Sequence, residues 1–528
     1  MYDVLVKNGH VMDGCGNPWF KADVGIKDGR IVRIGKLDEA SAAETIDAAG
    51  QIVSPGFIDI HCHSDVLSFA EPREKGKILQ GVTTEVVGNC GTSVAPVNEK
   101  MLPLFLKQAS PTFRDSSVKW NWRSVGDYLD RIDEHKTIGN VAALVGHGMV
   151  RIGAMGFDDR QPTSQELWRM QDLVGEALDD GAFGLSSGLI YPPGIFSQAD
   201  EMRELCRVVA AKGGMYATHI RNEADEVLAA VAEAIQVAEQ SGVALELSHH
   251  KSAGRQNWGK CRQTLAMIDA SRQRGNDVTC DVYPYIAAST SLKTLLPPWA
   301  HDGGITALLD RVRQPALQER MRRDIAQGLP GWENTAKITG WDGIMIAYCM
   351  KNKDYEGKNL QELAEISHQD PVDVLFRILL EEDGLALMNI FFLTEEDVQT
   401  IIRHPASMIG SDAIPSSGKP HPRFYGTFPR VLAKYVREEQ VVSLQEGVRK
   451  MTSLPAQKLG LRDRGVLREG AWADIVVFDP ATIADKATFA EPAQYPVGID
   501  HVLVNGSVAV RQGQYTGALE GRTLRRGQ

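Results

Sequence analysis

The sequence predicts an α/β fold: a (β/α)8 barrel of the TIM type, a small β-sandwich formed from both chain ends, and an inserted subdomain after the seventh barrel strand. Three observations lead there. The 528 residues exceed what one small core organises. The two ends share a pattern of short strands and turn dipeptides. The middle instead alternates strand-like and helix-like segments.

The ends are alike in detail. Residues 1–54 read as short strands in DVLVKNGHVMD, DVGIKDGRIVRIG and TIDAAGQIVSPG, with Asp28-Gly29 as a hairpin signal. Residues 463–528 repeat the pattern in WADIVVFDP and HVLVNGSVAVRQGQ, with Asn505-Gly506 at the turn. Neither set can close a core alone, so 1–54 plus 463–528 are expected to pair into one sandwich around a barrel at 55–462.

The barrel strands are expected at FIDIHCH (57–63), TTEVVGNC (83–90), VAALVGHG (141–148), FGLSSGLIY (183–191), MYATHI (215–220), ALELSHHK (244–251), VTCDVYPY (278–285) and SMIGSDA (407–413). Helix signals lie between them: Thr163/Ser164 before QELWRMQDLVGEAL, Ser197 before ADEMRELCRVVAAKG, and Gly242 closing DEVLAAVAEAIQVAEQSG. The stretch at about 290–400 is too long for one crossover and reads as an insertion.

Composition narrows the function. Hydrophobic content of 43% and charged content of 24% suit an ordinary globular protein. A net charge of −11 argues against nucleic acid or an acidic membrane as partner and leaves a small-molecule substrate. No apolar run approaches the ~18–20 residues of a membrane span, and the start lacks the shape of a signal peptide. Seven cysteines without a CxxC pair read as reduced thiols, so a cytoplasmic protein is expected, with a homo-oligomer left open.

The unusual polar residues fall at the strand ends, where a parallel barrel keeps its chemistry. His61 and His63 close the first strand, facing one side because strand side chains alternate. Cys90 closes the second, His219 the fifth, His249 with Lys251 the sixth, and Asp412 the eighth. Taken singly, Cys90 would be a buried structural thiol, either later histidine a core residue, and Asp412 a turn residue. Together at one mouth they form a donor set for Zn²⁺. His250 points to the opposite face from His249 and is read as structural.

GFIDIHCHSD after an N-terminal β segment, followed by THIRNE, SHHK and GSDA, resembles the amidohydrolase superfamily. GNCG around Cys90, SHHK, DVYPY and the Asp412–Arg423 pairing in GSDAIPSSGKPHPR resemble its N-acyl-D-amino-acid deacylases (D-aminoacylases), over essentially the whole chain. The resemblance implies one tightly held zinc on Cys90, His219 and His249, and a second, weaker position framed by His61, His63 and Asp412. It implies Lys251, Tyr283, Ser289 and Arg423 as the holders of a substrate α-carboxylate. The fourth strand offers no lysine to bridge two metals, which counts against hydantoinase chemistry.

Asp412 is expected to act as general base and then acid on an N-acyl-D-amino acid, with Tyr191 as a donor to the oxyanion. The apolar run SLKTLLPPWA (291–300), whose one cation is Lys293, favours neutral or hydrophobic side chains. Two alternatives use the same fold. One is hydrolysis of N-carbamoyl-D-amino acids or cyclic amides, and the other is a non-catalytic scaffold, which would be expected to have lost metal donors.

Overall fold

The computed structural model describes residues 1–37, 40–70, 73–97, 99–100, 102–108, 113 and 118–527. The middle of the chain forms eight barrel strands: β1 (Phe57–Asp59), β2 (Val82–Val87), β3 (Asn140–Ala143), β4 (Gly184–Gly188), β5 (Met215–His219), β6 (Ala244–Leu247), β7 (Val278–Val282) and β8 (Ser407–Ile409). Neighbours β1 to β3 and β4 to β8 pair in parallel, in sequence order. Val145–Gly146, just beyond β3, pairs with β4. After β1 and β8 the two segments meet at a Cys62–Ala413 bridge, where Asp412 N–H donates to the His61 carbonyl at 2.7 Å.

All eight strands are shorter than the sequence suggests. Alternation predicts a face but not the point where the ladder ends. His61, His63, Cys90, His249 and Asp412 therefore lie in the turns beyond the strands, and of the site residues in the strand-end motifs only His219 is within one.

The crossover helices follow local chemistry. Thr163 caps Ser164–Asp179 with a reciprocal capping box to Glu166. Gly242 ends Val227–Ser241 in the left-handed conformation. Ser197 does not cap its helix, because its hydroxyl donates to the Gly194 carbonyl at 2.7 Å and the cap position passes to Gln198.

The two chain ends meet in one nine-stranded sheet, in which Ile475–Phe478 pairs antiparallel with Ile52–Pro55. Both turn dipeptides are left-handed: Asp28 and Gly29 at φ 51° and 76°, Asn505 and Gly506 at 49° and 85°. Val6, Val24, Ile26, Val53, Ile475 and Leu503 pack on one another beneath them. The tail leaves this sheet, and Thr523–Leu524 pairs in parallel with β3. Just beyond this pairing, Arg526 N–H donates to the Gly181 carbonyl, shortly before β4, at 3.0 Å.

The insertion is a unit with its own packing. Ala287–Ser291, Leu387–Phe391 and Ile344–Tyr348 form a three-stranded antiparallel sheet. Leu292, Leu308, Ile346, Leu375, Phe376 and Met388 belong to its core. It begins at the first of these strands, a little before 290, and ends before the helix Glu395–Arg403, which is the crossover into β8.

Candidate metal and amide-hydrolysis site

Cys90 lies at the centre of the barrel mouth. Its Sγ is 3.3 Å from His61 Nε2, 3.3 Å from His249 Nε2 and 3.9 Å from His219 Nδ1. Asp412 Oδ1 lies 3.6 Å from His61 Nε2 and 3.2 Å from His63 Nε2. The two expected metal positions thus overlap. His61, Cys90, His249 and Asp412 have donor atoms within 4.8 Å of one another, and His219 groups with His249 and Glu223.

Backbone strain places these groups. Cys90, His249 and Asp412 have φ of 52°, 36° and 48°, a region that costs a residue bearing a Cβ about 1–3 kcal/mol. Gly91 makes the first turn possible, since a Cβ there would stand 2.7 Å from the Gly188 nitrogen. Strain at three residues that meet at one point marks a place built for function.

Charge is arranged to match. Burial favours the neutral thiol of Cys90, but His61 and His249 beside it bring its pKa well below the usual thiol range. Burial lowers His219, keeping the neutral imidazole a metal needs. Burial also opposes ionisation of Asp412, yet Arg423 and the histidines hold its pKa well below the carboxylate range. Arg423 Nη1 pairs with Asp412 Oδ2 at 2.9 Å and is completely buried. His61 is oriented from behind, its Nδ1 3.2 Å from Asp281 Oδ2.

The residues expected to hold a carboxylate divide. Tyr283 is buried between two cations, with the Arg423 guanidinium 4.8 Å and the Lys251 ammonium 5.5 Å from its ring centroid. Its hydroxyl has no hydrogen-bond partner among the described residues. Lys251 is committed at the metal end, where its Nζ donates to Glu223 Oε1 at 2.6 Å and lies 2.8 Å from His249 Nδ1. Ser289 donates to the Met388 carbonyl at 3.0 Å, a sheet bond that occupies its proton. Its own carbonyl accepts from Arg423 Nη2 at 3.2 Å.

Tyr191 faces His219 edge-on, with centroids 5.0 Å apart. Thr290 donates to its hydroxyl at 3.1 Å, leaving the phenolic proton to give. A cavity of about 160 Å³ opens from Cys90, His63 and Tyr191. Its lining also includes Phe105, Met149, Ile152, Phe157, Leu385 and the ammonium-bearing Lys293. His250 turns away, its Nε2 2.7 Å from Thr264 Oγ1, and burial with Lys251 lowers its pKa to about 4.

A profile of the Amidohydrolase family matches residues 44–510. The chain belongs to this family. This amidohydrolase is 39% identical to an N-acyl-D-glutamate deacylase of Alcaligenes xylosoxydans xylosoxydans, over 99% of the chain and 96% of that protein. It is 37% identical to a D-aminoacylase of the same organism, over 99% of the chain and 98% of that protein. Among solved structures, N-acyl-D-glutamate deacylase from Bordetella bronchiseptica, complexed with zinc and a phosphonate mimic of the tetrahedral intermediate, superposes with a TM-score of 0.85. Identity there is 37% over 99% of both chains. An L-hydantoinase from Arthrobacter aurescens, 16% identical with a TM-score of 0.58 over the whole of both chains, shares the fold alone.

Three supporting residues escaped the sequence reading. Glu223 stands in THIRNE, four residues after His219. Asp281 stands in DVYPY, two before Tyr283, and strand alternation puts both on one face. Asp59 stands in FIDIHCH. It pairs with the Lys77 ammonium and accepts the Ser411 N–H at 2.8 Å, tying β1 to the turn before Asp412.

Proposed function

We propose that this chain hydrolyses the amide bond of N-acyl-D-amino acids, releasing a carboxylate and a free D-amino acid, with zinc held by Cys90, His219 and His249 and a weaker second position beside His61, His63 and Asp412. The observation that carries the reading is a set of sulfur, imidazole and carboxylate donors, on Cys90, His61, His249 and Asp412, whose atoms lie within 4.8 Å of one another at one buried point, in a chain similar along its whole length to D-amino-acid deacylases. The donor set fits zinc. Zn–S and Zn–N bonds of ~2.3 and ~2.0 Å at tetrahedral angles put sulfur and nitrogen about 3.5 Å apart, and the separations from Cys90 are 3.3 and 3.9 Å.

Zinc supplies a Lewis acid and brings the pKa of a bound water toward ~7. The chain's own residues do the rest. Asp412, ionised at neutral pH, takes the proton of the attacking water and returns it to the leaving nitrogen. Arg423 and the unpartnered hydroxyl of Tyr283 receive the α-carboxylate, with Lys251 adding charge. Tyr191 donates to the carbonyl oxygen as negative charge develops there.

The cavity wall, largely apolar with Lys293 as its cation, favours neutral or hydrophobic side chains. A reducing, cytoplasmic setting suits a chain whose seven cysteines are all unpaired. Among the described residues no helix is long and apolar enough to cross a membrane. The test is a panel of N-acetyl-D- and L-amino acids, N-carbamoyl-D-amino acids and hydantoins, run with metal analysis on one preparation. We expect zinc in the protein and turnover of N-acetyl-D-leucine or -methionine at least ~10-fold above N-acetyl-D-glutamate. Equal turnover of L or carbamoyl compounds would overturn the reaction, and a preference for glutamate would overturn the side-chain assignment.

A further inference from the structure

We infer that Glu223 is the positioning residue for both imidazole donors, and that it fixes the metal-binding tautomer of His249 against Lys251. The inference rests on the metal reading above and asks how two histidines come to present the correct nitrogen.

Glu223 is held at both ends of its backbone. Its N–H donates to Glu333 Oε2, carried by the insertion, at 2.5 Å. Its carbonyl accepts the Ala253 N–H at 2.7 Å, from the segment after β6. Asn222 Oδ1 closes the local turn by accepting from Ala224 at 2.9 Å and Glu226 at 3.1 Å. The side chain, 4% exposed, then reaches two rings at once. Oε1 lies 3.0 Å from His249 Nδ1, and Oε2 lies 3.7 Å from His219 Nε2, a buried nitrogen with no hydrogen-bond partner among the described residues. On each ring the other nitrogen faces Cys90. One carboxylate therefore addresses the outer nitrogen of both histidines.

His249 makes the arrangement decisive, because two opposed groups compete for its Nδ1. Glu223 Oε1, an acceptor, is 3.0 Å away, and Lys251 Nζ, a donor, is 2.8 Å away. A neutral imidazole carries one N–H. If Nδ1 donates to Glu223, the lone pair is on Nε2, toward Cys90 and the metal position. If Nδ1 accepts from Lys251, the proton is on Nε2 and the ring cannot ligate. Glu223 also binds Lys251 Nζ at 2.6 Å, so the same oxygen that can claim the Nδ1 proton also gives the ammonium an acceptor other than the ring. Remove the carboxylate, and Lys251 is left to impose the wrong tautomer.

The experiment titrates cobalt(II) into metal-free full-length protein and follows the thiolate-to-cobalt charge-transfer band from Cys90. The proteins compared are wild type, Glu223→Gln, Glu223→Asp, Lys251→Met, and the Glu223→Gln/Lys251→Met double variant. Loss of such a partner costs about 10–100-fold in metal affinity, and we expect that loss in Glu223→Gln. Glu223→Asp keeps the charge but withdraws it from both rings, so it too should weaken binding by at least ~10-fold, and it decides the matter should the glutamine variant not fold. Lys251→Met should bind as wild type, and the double variant should recover most of what Glu223→Gln loses. Wild-type affinity in Glu223→Gln or Glu223→Asp would overturn the proposal, as would a double variant no better than Glu223→Gln. A wild type that takes up no cobalt would overturn the metal reading itself and this inference with it.

Discussion

At the scale of single residues the site is a contest between burial and charge. Asp412 and Arg423 are both buried, and their pairing at 2.9 Å, with His63 on the carboxylate and the Ser289 carbonyl on the guanidinium, offsets the cost of burying each charge. Asp412→Asn keeps the shape and removes the base. It should lower kcat by about 10²–10⁴-fold while the protein still binds zinc, checked by steady-state kinetics with metal analysis. Arg423→Lys keeps the charge but loses the fork that spans Asp412 and the Ser289 carbonyl, so it should raise KM for the amino acid and fail to restore wild-type turnover. The same reasoning shows what one sequence can disclose. His61, His63, Cys90, His219, His249 and Asp412 were legible because each closes a strand-like run, and alternation assigns a face without knowledge of the fold. The bond made by the Ser289 hydroxyl was not legible, because its acceptor, the Met388 carbonyl, lies on a neighbouring strand 99 residues away.

At the scale of elements, the insertion is joined to the chemistry through Glu333. Burial raises its pKa, and the nearby Glu223 carboxylate raises it further, to about 7, while its Oε2 accepts the Glu223 N–H. A folded-state pKa above the unfolded value of ~4.3 means the group's stabilising contribution is complete below about pH 4 and is lost as pH rises through 7. Glu333→Gln can accept the same hydrogen bond without ionising. Its melting temperature should match wild type near pH 4–5 and exceed it by about 2–3 °C at pH 8, measured by differential scanning calorimetry across that range. An offset independent of pH would place the effect in packing. The length of 290–400 betrayed an insertion, yet nothing local tied its Glu333 to Glu223, 110 residues earlier.

At the scale of the whole molecule, the chain ends brace the barrel in two ways. The nine-stranded sheet joins Ile52–Pro55, just before β1, to Ile475–Phe478. The tail then crosses to β3, where Leu524 is buried and Thr523 Oγ1 donates to Asp133 Oδ2 at 2.6 Å. Deleting 519–528 exposes the edge of β3 and leaves the Asp133 carboxylate without that donor. The truncated protein should melt several degrees lower and be cleaved by protease near residues 137–146 before wild type is, checked by limited proteolysis and thermal scanning. Unchanged melting would mean that the tail only decorates the barrel.

The sequence by itself determined the class of fold, the turn dipeptides at both ends, and which side chains stand at strand ends. Periodicity and turn chemistry are local, and a single chain carries them in plain view. Only the tertiary structure decided how the donors group around Cys90, that Glu223 and Asp281 stand behind them, and that Lys251 is bound at the metal end. Those facts are distances between turns far apart in sequence. They are fixed by closure of the barrel between β1 and β8 and by the left-handed backbone at Cys90, His249 and Asp412, which no local pattern encodes.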